Sequence, residues 1–472
     1  MILTNTRDCP PNLRGHFYDT LKNYISFRAQ SNICYCVLDL ANQRIKHAFN
    51  PATIRSVEFV VDILKEISKV ATPQYIMIIG DRNAIDSIRW YNPLINYGDH
   101  DEYVHSDLPY ITLDTTSSFQ RAAFNFEIEV GRLPSSAKTG FEEARIYLAN
   151  AMRLHNSSND IRTLVSTAIQ WTRSSALTYK NISDKELYPC PDVSFIPGSK
   201  INRILDNNCA HNLLCFNFHG GPTSNYWFWE DEEVNPDENL EEYYKPAYSP
   251  AYLPANKEIA YAICTEACYG AKPTDSKSIL MTALQNRCLA YLGSTESAYG
   301  AANYVEASLS ADILAKNFCL CIHQGYSFGS AFLTALAEMF NPSSLNNVNL
   351  HELKTITTFA LYGDPTLSLI NASTNAINHS PLCQRHYHIS LPDIKQLAEI
   401  KLKKISTQIS RYIDNHVKEN YKYFSDAEPH FYAKKNSGGY EVYFSKTTNS
   451  ITRVLYMYLD DDGTAIKTYM SK

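Results

Sequence analysis

The chain has 472 residues, a formal net charge of −6, 44% hydrophobic and 19% charged residues. That length predicts roughly two or three domains, and the composition is that of an ordinary globular chain. It carries no basic surplus pointing to nucleic acid or anionic lipid, no apolar run of about 18 residues for a membrane span, and no apolar core after Met1 of the secretory-signal kind.

The 12 cysteines are scattered without a framework spacing. Scattered cysteines in a leaderless chain place it in a reducing compartment, the cytoplasm, or have it exported without a classical signal peptide. Tyrosine is abundant at 33 residues, which suits strand-rich surfaces or aromatic-lined grooves.

Residues 1–154 read as a first α/β unit. Cys34–Leu40 is strand-like and Val57–Val70 has helical spacing. The apolar run Gln74–Asp81 ends in Gly-Asp, as a buried parallel strand does. Phe126–Pro134 is a further strand stopping at a Gly, and a helix follows from about residue 140. Alternating strands and helices predict a layered α/β fold with a mainly parallel sheet.

A second α/β unit spans 155–375. It contains two abrupt strand ends. Leu213-Leu214-Cys215-Phe216 runs into Asn217-Phe218-His219-Gly220-Gly221, and Ile259–Ile263 runs into Thr265-Glu266-Ala267-Cys268-Tyr269-Gly270. Active sites of open α/β sheets lie at the carboxyl ends of strands. A Cys nucleophile needs a neighbouring base, and His is the usual one. His219 precedes Cys268 by 49 residues, close to the caspase layout of Ala-Cys-x-Gly with a His about 50 residues upstream. Either phrase alone reads more readily as an inert core cysteine or a turn histidine; the pair, in this order and spacing, points to a Cys–His dyad.

The rest of the unit holds helices at 276–288 and 326–340, the strand Cys288–Thr295 and the closing strand Phe359–Leu367. The acid-dense stretch Glu230–Tyr244 reads as a solvated loop over the site. Residues 376–472 read as a linker followed by an α+β module: 371–390 is linker-like, Leu391–Tyr421 has helical spacing, and Tyr440–Phe444 and Arg453–Leu459 alternate as strands. Asp460-Asp461-Asp462-Gly463 is a hairpin signal. This module carries no nucleophile–base pair. It is expected to regulate or recruit, and a cut near Ser380 to leave a folded core.

Seven phrases occur in a fixed order: Ile79-Gly80-Asp81, Ser106-Asp107-Leu108-Pro109-Tyr110, Val130-Gly131-Arg132-Leu133-Pro134, the His-Gly strand, the Ala-Cys strand, Gly293-Ser294-Thr295, and Tyr362-Gly363-Asp364-Pro365-Thr366-Leu367. The series resembles the gingipain family of cysteine peptidases, relatives of caspases. The resemblance covers about 70–370 and implies a caspase-like α/β/α sandwich with a preceding smaller α/β subdomain. It implies a cysteine endopeptidase acting on protein or peptide substrates through a thioester acyl-enzyme, with no cofactor. On its motifs Cys268 is the nucleophile, His219 its proton-handling partner, and the N–H groups of Gly220 and Cys268 form the oxyanion hole. Gly270 keeps the turn after the nucleophile clear.

The chain departs from the family pattern in two places. Phe218 stands where a Gly usually precedes the His. Gingipains orient that His with a carboxylate on an earlier strand, whereas 176–181 offers none; Asp184 and Glu186 lie nearby. The loop Gly293–Gly300 is expected to border the substrate's P1 residue, with Tyr299 as a wall and Glu296 favouring a basic side chain.

Other constellations carry less. Strand alternation would put Cys319, Cys321 and His323 on one face, but zinc wants about four converging ligands, so no metal is expected. Asp312 and Glu306 read as solvated helix charges. The alternative to a peptidase is a catalytically degenerate homologue that binds a protein partner. A dyad performing another acyl transfer is a third reading.

Overall fold

The computed structural model describes residues 1–42, 51–115, 126–154, 160–180, 182, 187–189, 211–231, 234, 243–251, 259–273, 277–301, 309–339, 350–370, 400–402, 407–433, 439–448, 451–460, 462 and 464–471. The linker-like stretch 371–390, Asp184, Glu186 and Glu306 lie outside them.

The strands of the first unit are β1 (Ile2–Thr4), β2 (Val37–Asp39), β3 (Tyr75–Ile79), β4 (Ile88–Tyr91), β5 (Tyr103–Ser106) and β6 (Glu129–Leu133). Those of the second are β7 (Thr163–Thr167), β8 (Leu187–Pro189), β9 (Leu213–Asn217), β10 (Trp227–Glu230), β11 (Tyr244–Tyr248), β12 (Tyr261–Thr265), β13 (Cys288–Ser294), β14 (Tyr299–Ala301) and β15 (Phe359–Gly363). Ten of them form one sheet in the order β2-β1-β3-β6-β15-β13-β12-β9-β7-β8. Every neighbour pair is parallel except β13 with β15. Two parallel halves therefore run in opposite directions and meet at that seam. The boundary expected near residue 154 falls inside this one sheet, because β15 from the second unit pairs with β6 from the first.

The apolar runs behave as central strands should. Every residue of β3, β9, β12 and β13 is buried, which only a strand covered on both faces requires. The helix Val57–Ser68 starts where Ser56 Oγ accepts from the Phe59 N–H, an N-cap. It buries Val57, Val60, Val61 and Leu64 at helical spacing. Two helix groups flank the sheet. Pro11–Ala29 and Ile279–Gln285 pack on Glu142–Leu154, while Thr172–Tyr179 and Phe328–Glu338 pack on Ala311–His323.

Phrases far from the two strand tips have structural work. The Arg132 guanidinium donates to both oxygens of Asp107 at 2.6 and 2.7 Å and to the carbonyls of Gly80 and Ile85 at 3.1 and 2.9 Å. It ties the ends of β3 and β6 to the segment after β5. A Cβ on Gly131 would lie 2.3 Å from the Gly363 carbonyl oxygen, so β6 and β15 meet only through glycine. Asp364 accepts from Tyr35 Oη at 2.6 Å and from the hydroxyl of Tyr24.

Beyond residue 400 the strands are β16 (Ile400–Leu402), β17 (His430–Ala433), β18 (Tyr440–Thr448), β19 (Ile451–Leu459) and β20 (Ala465–Ser471), with the helix Thr407–Asn420. The expected hairpin joins β19 to β20, where Asp460 Oδ1 accepts from the N–H groups of Asp462 and Thr464. The sheet has a sixth strand taken from the preceding unit: β14 pairs antiparallel with β20, Tyr299 opposite Ser471. Val442, Leu455, Met457 and Met470 belong to the same buried apolar cluster as the central sheet. A cut near Ser380 would expose that shared core, so the tail completes the molecule instead of sitting beside it.

Three local expectations are corrected. Cys319, Cys321 and His323 lie on the helix Ala311–His323, not on a strand face. Cys319 Sγ faces Cys215 Sγ at 3.4 Å, and His323 Nε2 meets Thr163 Oγ1 at 2.7 Å. Residues 176–179 are helical, within Thr172–Tyr179. Asp312 is fully buried and accepts from the N–H groups of Ala301 and Leu309 at 2.7 and 3.0 Å, which pins the end of β14.

Candidate active site

β9 and β12 are adjacent parallel strands, with Thr265 opposite Phe216. His219 and Cys268 each follow three residues later, so both chains leave the sheet side by side at its carboxyl edge. The Glu266 N–H donates to the Phe216 carbonyl at 2.9 Å and holds the two ends level. A Cβ placed on Gly220 would fall 1.8 Å from the Cys268 carbonyl oxygen. Only glycine permits that approach. Among the described residues, no backbone or side-chain acceptor takes the N–H of Gly220 or of Cys268.

Cys268 sits in a tight turn. The next residue, Tyr269, has φ of 54°, a left-handed conformation that costs a non-glycine residue free energy. Its hydroxyl donates to Asp101 Oδ1 at 2.5 Å and meets His100 Nε2 at 2.8 Å and Ser297 Oγ at 3.2 Å. Those partners hold the strained turn. Cys268 Sγ accepts from the Ala298 N–H at 3.3 Å and lies 3.5 Å from the Ala298 carbonyl. The side chain is 5% exposed, and burial pushes its thiol up to about 12, against smaller lowering contributions from the Ala298 backbone and the Lys354 ammonium. In this closed arrangement it is a neutral thiol at pH 7.

The acidic stretch Glu230–Tyr244 departs at its first residue from the solvated loop expected for it; residues 232–233 and 235–242 lie outside the described ones. The His219 N–H donates to the Phe228 carbonyl at 3.0 Å and its carbonyl accepts from Phe228 at 2.8 Å. This bridge folds β10 back along the histidine. Two residues on, Glu230 is 1% exposed and its carboxylate contacts His219 Nε2. The Trp171 ring lies 4.2 Å from the His219 ring, centroid to centroid, and Tyr244 on β11 meets it edge-on at 5.4 Å. A carboxylate therefore does reach the histidine, from a later element than the one searched in the sequence. Its signal was present: the aromatic run Trp227-Phe228-Trp229 is strand-like, follows soon after the His-Gly-Gly turn and ends at Glu230.

Tyr299 and Glu296 are placed differently from the expectation of an open pocket wall. Tyr299 is 2% exposed and donates to Asp99 Oδ2 at 2.9 Å; Glu296 is 5% exposed and its Oε1 meets His105 Nδ1 at 3.2 Å. Each fastens the loop 295–299 to the segment around β5. Lys354 lies beneath this loop, fully buried, with Nζ 2.5 Å from Asp99 and 2.7 Å from Asp101. Burial alone would raise Asp101; the Lys354 ammonium outweighs it and holds the carboxyl below its ordinary range.

The site therefore presents a cysteine, a histidine backed by a carboxylate, and two backbone donors at adjoining strand tips. The pattern that defines peptidase family C25 matches residues 9–370. The chain belongs to peptidase family C25. It is thus a cysteine peptidase with a caspase-like α/β fold, and its substrates are proteins. C25 relatives of known structure share the architecture. The Arg-specific cysteine proteinase gingipain R is 12% identical with a TM-score of 0.51, over 100% of this chain and 90% of that one. A complex of the pro- and mature domains of Porphyromonas gingivalis RgpB is 13% identical with a TM-score of 0.50, over 100% and 92%. At such identities the likeness speaks for the fold. No curated protein sequence matches the chain. Among the described residues of this C25 member, no helix is long and apolar enough to cross a membrane.

Proposed function

We propose that the protein is an endopeptidase in which Cys268 is the nucleophile, His219 the general base and acid, and Glu230 the group that orients His219. The observation that carries this reading is the contact between the two strand tips: the Cys268 carbonyl stands where a side chain on residue 220 would be.

The thiol is neutral when buried, so its proton passes to His219 Nδ1 as sulfur attacks the peptide carbonyl carbon. The oxyanion that forms is held by the N–H groups of Gly220 and Cys268, donors fixed in place before the reaction. Collapse breaks the C–N bond. The departing amine takes the proton from His219, and a thioester on Cys268 remains. Water then adds to the thioester carbonyl carbon and gives a proton to His219, while the carbonyl oxygen becomes a second oxyanion held by the same N–H groups. Its collapse breaks the C–S bond, the carboxylic acid leaves, and the sulfur takes the proton back from His219. Glu230 on Nε2 fixes the ring and stabilises its charged form in both half-reactions. Glu296 pairs with His105, so the Arg specificity in gingipain R's name is not carried over through that residue.

An acyloxymethyl ketone peptide probe is expected to label the wild-type chain and not Cys268→Ala. Turnover of a peptide library should fall on the order of 10³-fold or more in both Cys268→Ala and His219→Ala, since nucleophile and base act as a unit. Full turnover by purified Cys268→Ala would overturn the assignment.

A further inference from the structure

The family match ends at residue 370, yet an arginine that approaches Glu230 comes from beyond it. Arg453, on β19 of the last sheet, is 4% exposed. Its Nη1 lies 3.9 Å from Glu230 Oε1 and donates to Gln170 Oε1 at 3.4 Å. Its guanidinium stands 4.3 Å above the Tyr244 ring and 5.6 Å from the Tyr423 ring. Gln170 adjoins Trp171, whose ring lies against that of His219. Its other end is also held by the last sheet: Nε2 donates to Met470 Sδ on β20 at 3.1 Å. Among the described residues, the titratable and charged groups facing Glu230 include His219 from the end of β9, Tyr244 from β11 and Arg453 from β19, with Tyr243 and Tyr423 further out.

We infer that Arg453 is a positioning residue of the active site: it keeps Glu230 ionised so that Glu230 can hold His219, and the last sheet is thereby part of the catalytic apparatus. The inference rests on the Cys–His reading above. Its physical basis is the charge state of Glu230 through the cycle. A carboxylate excluded from water takes up a proton unless a positive charge stands nearby. His219 supplies that charge only while it is protonated. Once it has given its proton to the leaving amine it is neutral, and Glu230 then depends on a partner that never loses its charge. Arginine is that partner, and burial between two tyrosine rings holds it in place. Consistently, Glu230 and Tyr244 both act to raise the Arg453 guanidinium, against the lowering effect of burial.

The test is the pH profile of kcat/KM on a cleaved library peptide, in the full chain, for Arg453→Met, Arg453→Lys, Glu230→Gln and Arg453→Met with Glu230→Gln. Methionine keeps an apolar stem over Tyr244 and Tyr423 and removes the charge. Arg453→Met should move the acidic limb to higher pH by about one to two units and lower kcat/KM near pH 6 roughly tenfold or more. Arg453→Lys should return the limb to its wild-type position. In the Glu230→Gln background, Arg453→Met should leave the limb unmoved. An acidic limb at the wild-type pH in Arg453→Met overturns the inference, as does a limb that Arg453→Lys fails to restore. Should Arg453→Met not fold, Arg453→Gln is the second charge-free variant with the same overturning result. Cys268→Ala, run beside them, separates the two levels. Activity in that variant defeats the underlying reading, whereas an inactive Cys268→Ala beside an unshifted Arg453→Met defeats only the role of Arg453.

Discussion

The two strand tips of the site meet backbone to backbone. Gly220 is the point at which the β9 and β12 extensions touch, and the Cys268 carbonyl occupies the space a methyl group would need. Nearly all the alignment of the proposed oxyanion donors depends on that contact, because each donor N–H belongs to one of the two touching turns. Gly220→Ala should separate them. We expect kcat/KM to fall on the order of 10²-fold or more, with the melting temperature lowered and the chain still folded. Peptide turnover beside a thermal melt checks this. Wild-type turnover in Gly220→Ala would mean the two turns are further apart than the structure shows.

At the scale of elements, the cysteine turn is held by a buried ionic lock. The helix Leu350–Thr358 delivers Lys354 between Asp99 and Asp101. Those two carboxylates in turn take the hydroxyls of Tyr299 and Tyr269, and Asp101 Oδ2 also takes the Ser297 N–H at 2.9 Å. One cation thus fixes both sides of the loop facing Cys268. Removing one partner of a buried pair strands the other charges, which is costlier than never having built the pair. Lys354→Met should destabilise the protein by about 3–5 kcal/mol in urea unfolding. Adding Asp99→Asn and Asp101→Asn should recover part of that loss. A Lys354→Met variant as stable as wild type would contradict the lock.

For the whole molecule, the joint between the central sheet and the last sheet is built of tyrosine around one histidine. His351 stacks on Tyr469 at 4.8 Å and meets Tyr299, Tyr456 and Tyr458 edge-on. Burial, reinforced by the Lys354 ammonium, lowers its pKa from 6.5 to about 3. The unfolded chain therefore binds a proton between those values that the folded chain refuses. Stability from this joint is complete above pH 6.5 and is lost progressively as the pH falls toward 3. The effect is on the order of a few kcal/mol. Groups around the ring that shape the same window are Lys354, the four tyrosines, and Glu352 beneath Tyr469 with Lys467 at 3.6 Å. Melting temperature measured from pH 7 to pH 4 should fall less steeply in His351→Phe than in wild type. Parallel curves would remove His351 from the account.

Much of the site was legible along the chain, because its signals are local. An apolar run that stops at His-Gly or at Ala-Cys-x-Gly states a buried strand and puts a candidate reactive side chain at its tip. The ordered Gly-Asp, Gly-Arg-Leu-Pro and Gly-Asp-Pro phrases mark places where backbones or a buried Arg132 must meet. What the chain could not declare were pairings set by folding. Glu230 read as one acid among many. It became the partner of His219 only because the Phe228 bridge turns β10 back and buries that carboxylate against the ring. The Cys319–His323 segment was read by strand alternation, and its packing among neighbours made it part of a helix. The tail looked separable because its strands pattern independently. Tertiary structure decided otherwise, since β20 pairs with β14 and the apolar surfaces of Leu455, Met457 and Met470 are buried only against the rest of the molecule. Sequence marked the candidate reactive residues and where strands end. Burial and long-range pairing decided which charges face them, because a group's ionisation depends on neighbours that are distant in the chain.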